Sequence, residues 1–156
     1  MNKDNNFEEE IFADELAKNK KLKIDMTYNE YLIVNVLSKF KINQAFSFNS
    51  NAELIKNLFN FNYYDWQKET FELSDKITLW MISIENTERK YCYYWDDSMI
   101  VDYSPSDLTK HIKPIRIVFE IDIIDGKRQY IYRGLFTLDN ELSTTEKRYY
   151  NSIELE

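Results

Sequence analysis

The stretch IRIVFEIDIIDGKRQYIYRGLF, residues 115–136, decides how the chain is read. Asp125-Gly126 suits a two-residue type I′ hairpin turn, because both central positions of that turn need positive φ. Two strands folded about it place Ile121 opposite Tyr130 and Phe119 opposite Tyr132 on one face, and leave Glu120, Asp122 and Arg133 on the other. Gly134 interrupts the second strand, where a bulge or a close backbone approach is expected.

Upstream, the apolar residues keep a period of two from about residue 70. In KITLWMISIE, residues 76–85, Ile77, Leu79 and Met81 alternate with Lys76, Thr78 and Trp80. Asn86 to Glu88 carry turn chemistry, so a hairpin to a second strand at 89–95 is expected. Met99 to Tyr103 reads as a third strand, and Ser104-Pro105-Ser106-Asp107 as the start of a short helix ending at His111. A further strand follows Pro114. The last stretch, Glu146 to Leu155, reads as a closing strand in preference to a helix capped by Ser143.

The first third has helical periodicity. Glu8, Glu9, Glu10, Asp14 and Glu15 precede Lys18, Lys20, Lys21 and Lys23, an order that complements a helix dipole, and Phe7, Ile11, Phe12 and Leu16 form an apolar stripe. Thr27 and Glu30 make a capping box, with Met26 and Tyr31 spaced as a hydrophobic staple. A helix from about 28 to 41 would bury Tyr28, Leu32, Val36 and Phe40. Ser50 and Glu53 repeat the cap before a third, shorter helix carrying Leu54, Ile55, Leu58 and Phe59. The expected fold class is α+β: one domain over residues 1–156, with N-terminal helices (about 7–60) packed on a C-terminal antiparallel β-sheet of about five strands (about 70–156).

Composition limits the chemistry. A chain of 156 residues can bury a sizeable core without staples. One cysteine, Cys92, and one histidine, His111, provide neither an internal disulfide nor a zinc set, and no cofactor is expected. No apolar run approaches a membrane span or a secretory leader, so the expected location is the cytoplasm of a bacterial host cell, with no membrane partner. Seventeen Ile, 15 Asn and 15 Lys against 4 Ala point to AT-rich codons, as in a low-GC bacterium or its phage. The net charge of −7 gives an unfavourable long-range field towards DNA or RNA and a favourable one towards a basic protein. No direct nucleic-acid contact is therefore expected.

The segment YCYYWDDSMIVDY, residues 91–103, concentrates the candidate chemistry. Asp96, Asp97 and Asp102 could hold Mg²⁺ or act as acid and base, but Asp and Ser are also common turn formers and no Lys or His completes a site. Glu88-Arg89-Lys90 with Asp75 matches the string of a metal-dependent nuclease but falls on an expected turn, while Glu120-Ile121-Asp122 sits on a strand without a lysine. Cys92 and His111 lack the surroundings of a nucleophile and its base. No glycine loop cradles phosphate. Aromatic rings on a strand could stack bases, yet here the flanks are acidic. Exposed aromatics ringed by carboxylates suit docking on a basic protein. The residues expected to do so are Tyr93, Trp95, Asp96, Asp97, Asp102 and Tyr103, with Glu8, Glu9 and Glu10 as a second contact. The bland alternative is an ordinary strand followed by a solvated acidic turn.

The whole profile, a small acidic α+β chain beginning MNKDNNFEEE with no enzyme motif, resembles the type II-A anti-CRISPR proteins, among them small staphylococcal inhibitors of Cas9. That resemblance implies a non-enzymatic protein that binds Cas9 loaded with guide RNA and blocks target cleavage, by occluding or immobilising the HNH nuclease domain more than by imitating DNA. The C-terminal part, YIYRGLFTLDNELSTTEKRYY (residues 130–150), also resembles the closing strands of PUA-like or SRA-like modules of restriction systems. This second resemblance rests on Tyr130, Tyr132, Gly134 and Phe136 at strand spacing, followed by Ser143 and Arg148, and implies a sheet that reads a modified base.

Overall fold

The computed structural model describes residues 20–62, 69–83, 93–104 and 108–155. The strands are β1 (Lys20–Leu22), β2 (Ala45–Ser47), β3 (Thr70–Glu72), β4 (Ile77–Ile82), β5 (Tyr93–Asp96), β6 (Met99–Asp102), β7 (Ile115–Ile124), β8 (Lys127–Leu138) and β9 (Arg148–Leu155). Two α-helices, α1 (Tyr28–Leu37) and α2 (Asn51–Phe59), and a 3₁₀ turn at Leu108–His111 complete the described elements. The expectation of helices packed on a five-strand antiparallel sheet is therefore overturned. The nine strands form one mixed sheet in the order β3-β4-β7-β8-β9-β6-β5, with β1 added on β9 and β2 on β8.

The quoted hairpin is the centre of this sheet. Asp125 (φ 54°) and Gly126 (φ 75°) turn β7 into β8, and Ile121 faces Tyr130 as Phe119 faces Tyr132. Between Val118 and Phe119 the register shifts, so that Val118 pairs with Gly134 and Phe119 with Tyr132, which makes Arg133 the extra residue of a bulge. Gly134 takes φ 103°, and a Cβ there would lie 3.0 Å from Ile42 Cδ1. Both reasons offered for this glycine, the bulge and the close approach, hold together.

Both sheet faces are buried. Ile77, Leu79, Met81, Ile115, Ile117, Phe119, Tyr130 and Tyr132 meet Ile33, Leu37, Leu54, Ile55 and Phe59 from the two helices. Trp80, Ile82, Ile100, Val118, Phe136, Leu138 and Tyr150 form a second core on the opposite face, with Tyr93 and Trp95 packed against it. The sheet curls around this second core until its ends approach. Tyr93 of β5 donates a 2.5 Å hydrogen bond to Glu69, next to β3, and its ring meets Trp80 edge-on at 5.2 Å. All six residues of β4 are buried as a result, where alternation suggested a wet side. Among the described residues the expected pairing of β4 with β5 is not found: β4 lies between β3 and β7, parallel to β7, while β5 pairs with β6. Asn86 to Glu88 lie outside the described residues.

The capping box of α1 forms, with Thr27 Oγ1 accepting from Glu30 N–H at 3.2 Å and Glu30 Oε1 accepting from Thr27 N–H at 3.0 Å. The other Glu30 oxygen accepts from Ser74 Oγ at 2.6 Å. This tether turns the Glu30 side of the helix inward, so Ile33 and Leu37 enter the core, whereas Tyr28 and Leu32 stay exposed at 76% and 47%. Within α1 the expected buried stripe was one residue out of phase, while Phe40 beyond its end packs on the core as expected, and Tyr31 is exposed where a staple on Met26 was expected. In α2, Ser50 caps Glu53 N–H at 3.1 Å, and Asn51 accepts from Tyr130 Oη at 2.7 Å, tying helix to sheet. Lys20 and Lys21, expected in a helix, belong to β1. The apolar stripe before them lies outside the described residues, as do Glu8, Glu9 and Glu10. Among the described residues no helix is long and apolar enough to cross a membrane.

Gly134→Ala is expected to lower stability by about 1–3 kcal/mol through its positive φ and the Ile42 contact. Gly126→Ala, where a Cβ meets nothing within 4 Å, should cost less in the same urea titration. The Ser74 hydroxyl, then the Thr27 N–H, hold the Glu30 carboxyl below its ordinary range. Its contribution is thus complete above that range and lost as pH falls through it. The stability gap between wild type and Glu30→Gln should accordingly narrow on acidification in paired urea titrations.

Candidate nucleic-acid interface

Alternation decides which side chains enter the curl. From β5 come Tyr93 and Trp95, from β6 Ile100 and Asp102, from β7 Arg116, Val118 and Glu120, and from β9 Arg148 and Tyr150. Charged groups enter an interior only with partners, and here they form two groups.

The first lies deep. Arg116 is buried and packs over Trp80 and Tyr150, its Cζ 4.8 Å from each ring centroid, while the two rings lie 4.9 Å apart. Its Nη2 is 3.0 Å from His111 Nδ1, and Tyr150 Oη is 2.8 Å from the same nitrogen. A guanidinium can only donate, so towards Arg116 the Nδ1 atom takes the acceptor role. Burial pushes the Tyr150 phenol up to about 12, which keeps its proton available. Beside this group Arg148, with no exposed surface, pairs with Asp102 at 3.2 Å and donates to the Thr145 carbonyl at 2.7 Å. Ser104 Oγ donates to Asp102 at 2.6 Å and stands 3.4 Å from Arg148 Nη2.

The second group is half-buried at the rim. Trp95 Nε1 donates to Glu120 Oε1 at 2.7 Å, and Arg133 Nη2 reaches Glu120 Oε2 at 3.3 Å. Arg133 Nη1 donates to Asn43 Oδ1 at 2.5 Å, which joins the bulge to the loop between α1 and β2. Trp95 also packs on Phe136, with centroids 5.9 Å apart. Indole, carboxylate and guanidinium thus lie in one contact shell, joined to one another by these hydrogen bonds. Elsewhere, Lys39 and Lys41 on the loop and Lys127 and Arg128 near the hairpin turn are exposed, and Arg128 donates to Tyr130 Oη at 3.3 Å on the helical side.

The partner surface expected from sequence is divided by this arrangement. Tyr93, Trp95 and Asp102 point into the curl; burial, then the Glu69 carboxylate, pushes the Tyr93 phenol far above its ordinary value. Asp96 and Asp97 are exposed, and Asp97 takes φ 55° in the turn. Tyr103 is 46% exposed and meets Tyr94, ring to ring, at 5.7 Å. Asp102 pairs across from Tyr93 and Asp96 across from Met99, so the three aspartates do not converge. The residues of the PUA-like resemblance divide too: Tyr130 and Tyr132 lie under the helices, and Phe136, beyond the bulge, lies in the curl. Arg116 was not singled out from sequence, although one charged residue at an inward position of an apolar strand is the signal that could have found it.

This architecture has a solved counterpart. Over 81% of its length the chain matches the 5-hydroxymethylcytosine-specific restriction enzyme AbaSI with a TM-score of 0.53 and 16% identity. The match spans 43% of that protein, so the chain corresponds to less than half of it, and at this identity the likeness is one of fold. No family model and no curated protein matches the sequence.

Asp102→Ala should destabilise the protein by about 3–5 kcal/mol, because it strands a buried guanidinium. Asp96→Asn and Asp97→Asn should each stay within about 0.5 kcal/mol in guanidinium unfolding.

Proposed function

We propose that the protein is a non-enzymatic nucleic-acid reader module of a restriction system, and that it recognises a modified cytosine at the rim of the curled sheet. The observation that carries this reading is the Trp95–Glu120–Arg133 group, half-buried on the inner face. A carboxylate at this place can accept from the exocyclic amine of cytosine, and a guanidinium can donate to base acceptors. An indole face can stack on an unpaired base. Lys39, Lys41, Lys127 and Arg128 supply the phosphate contacts that a chain of net charge −7 otherwise lacks. The fold shared with a 5-hydroxymethylcytosine-specific restriction enzyme supports the same substrate class. Occlusion of Cas9 by an aromatic and acidic face is less well supported, since Tyr93 and Asp102 are engaged inside.

Fluorescence anisotropy with duplexes carrying one 5-hydroxymethylcytosine, 5-methylcytosine or cytosine tests the proposal. Tighter binding to a modified duplex is expected, with affinity falling as salt rises. Glu120→Gln and Trp95→Phe should each weaken the preference by about 1–3 kcal/mol, roughly tenfold or more. Lys39→Ala with Lys41→Ala should weaken all duplexes alike. Equal affinity for the three duplexes, or none at low salt, would overturn the reading.

A further inference from the structure

On the helical side of the sheet a cleft of about 330 Å³ opens between the end of α1 and the paired strands β8 and β9. Val34, Leu37, Phe40, Ile42, Leu135 and Leu155 line it. Its floor is Gly134, where the missing side chain admits Ile42. An apolar cleft of this kind usually holds an apolar occupant.

The chain itself supplies one at the right place. β1 pairs in parallel with β9, Lys20 opposite Ile153 and Leu22 opposite Leu155, and Ile153 and Leu155 both belong to the cleft wall. The described chain therefore begins, at Lys20, beside the cleft. Phe7, Ile11, Phe12 and Leu16 fall at the spacing of one helical face. Leu16 is four residues from Lys20, within about 14 Å of chain reach. Residues 1–19 carry six acidic and two basic side chains, and the cleft is bordered by exposed Lys39 and Lys41 on either side of Phe40. Apolar stripe, charge and point of departure agree.

We propose that the cleft is a docking site for the chain's own N-terminal segment, which seats Phe12 and Leu16 between α1 and β9 while its carboxylates face Lys39 and Lys41. This is an intramolecular contact read without nucleic acid, and because it engages Lys39 and Lys41 it competes with the phosphate contacts of the proposed function.

Paramagnetic relaxation in the full-length protein tests it. A nitroxide is placed at Ala13→Cys in a Cys92→Ser background, and methyl resonances are read by NMR. The strongest loss of intensity is expected at Val34, Leu37, Ile42, Leu135 and Leu155, and it should be removed by Phe12→Asp combined with Leu16→Asp. Ile42→Asp, a change at a 59% exposed position of the cleft, should also reduce it from the other side. Mixing isotope-labelled, nitroxide-free protein with unlabelled, nitroxide-bearing protein should give no loss. Maximal broadening at other methyls, persistence in the Asp variants, or transfer in the mixed sample, which would mean a second copy in the cleft, each overturns the proposal.

Discussion

In a strand, neighbouring side chains face opposite sides, so the one unpaired residue in β8 reverses the assignment of everything beyond it. Before Gly134, Tyr130 and Tyr132 lie under the helices and Arg133 turns to the concave side. After it, Phe136 and Leu138 enter the curl. A regular β8 would send those two large residues towards the helices and leave the second core without its floor. Glycine is what permits this, since φ 103° is poor for any side chain and Ile42 already fills the space a Cβ would need.

The second core has an unusual charge content. Arg116 and Arg148 are both buried, yet they are accommodated differently. Arg148 has a carboxylate, a carbonyl and a hydroxyl around it. Arg116 rests on two aromatic faces and an imidazole nitrogen, an environment that offers electron density without a full negative charge. Such groups contribute little net stability compared with an apolar substitute of the same shape. They also join strands: Arg148 links β9 to Asp102 of β6, and Arg116 of β7 packs on Tyr150 of β9.

Local chemistry was legible in the sequence. The Asp125-Gly126 turn, the pairing of Ile121 with Tyr130, the Gly134 bulge, the meeting of Glu120 with Arg133 and both helix caps follow from contacts close along the chain or from one hairpin register. The interior positions of Trp95 and Asp102 did not follow, because alternation gives two faces without saying which is covered. The buried side of α1 was misread for a related reason: Glu30 counts as polar until Ser74, far along the chain, hydrogen-bonds it. The parallel pairing of β4 with β7 was likewise invisible, since a turn signal after β4 looks the same whether the next strand pairs beside it or crosses the curl. The fold class was missed for these long-range reasons and because the three-residue strands β1, β2 and β3 are too short to show a period; the longer strands and both helices were located.

The pairing of β1 with β9 brings Lys20 beside Ile153 across almost the whole sequence. Closing so long a loop has a high entropic cost and gains only a three-residue strand, whereas the β7–β8 hairpin closes through two residues and gains a long ladder. The order of assembly expected from this contrast is hairpin first, β4 and β9 onto its sides next, and β1 last. During synthesis β1 leaves the ribosome first and then waits unpaired until β9 has been made.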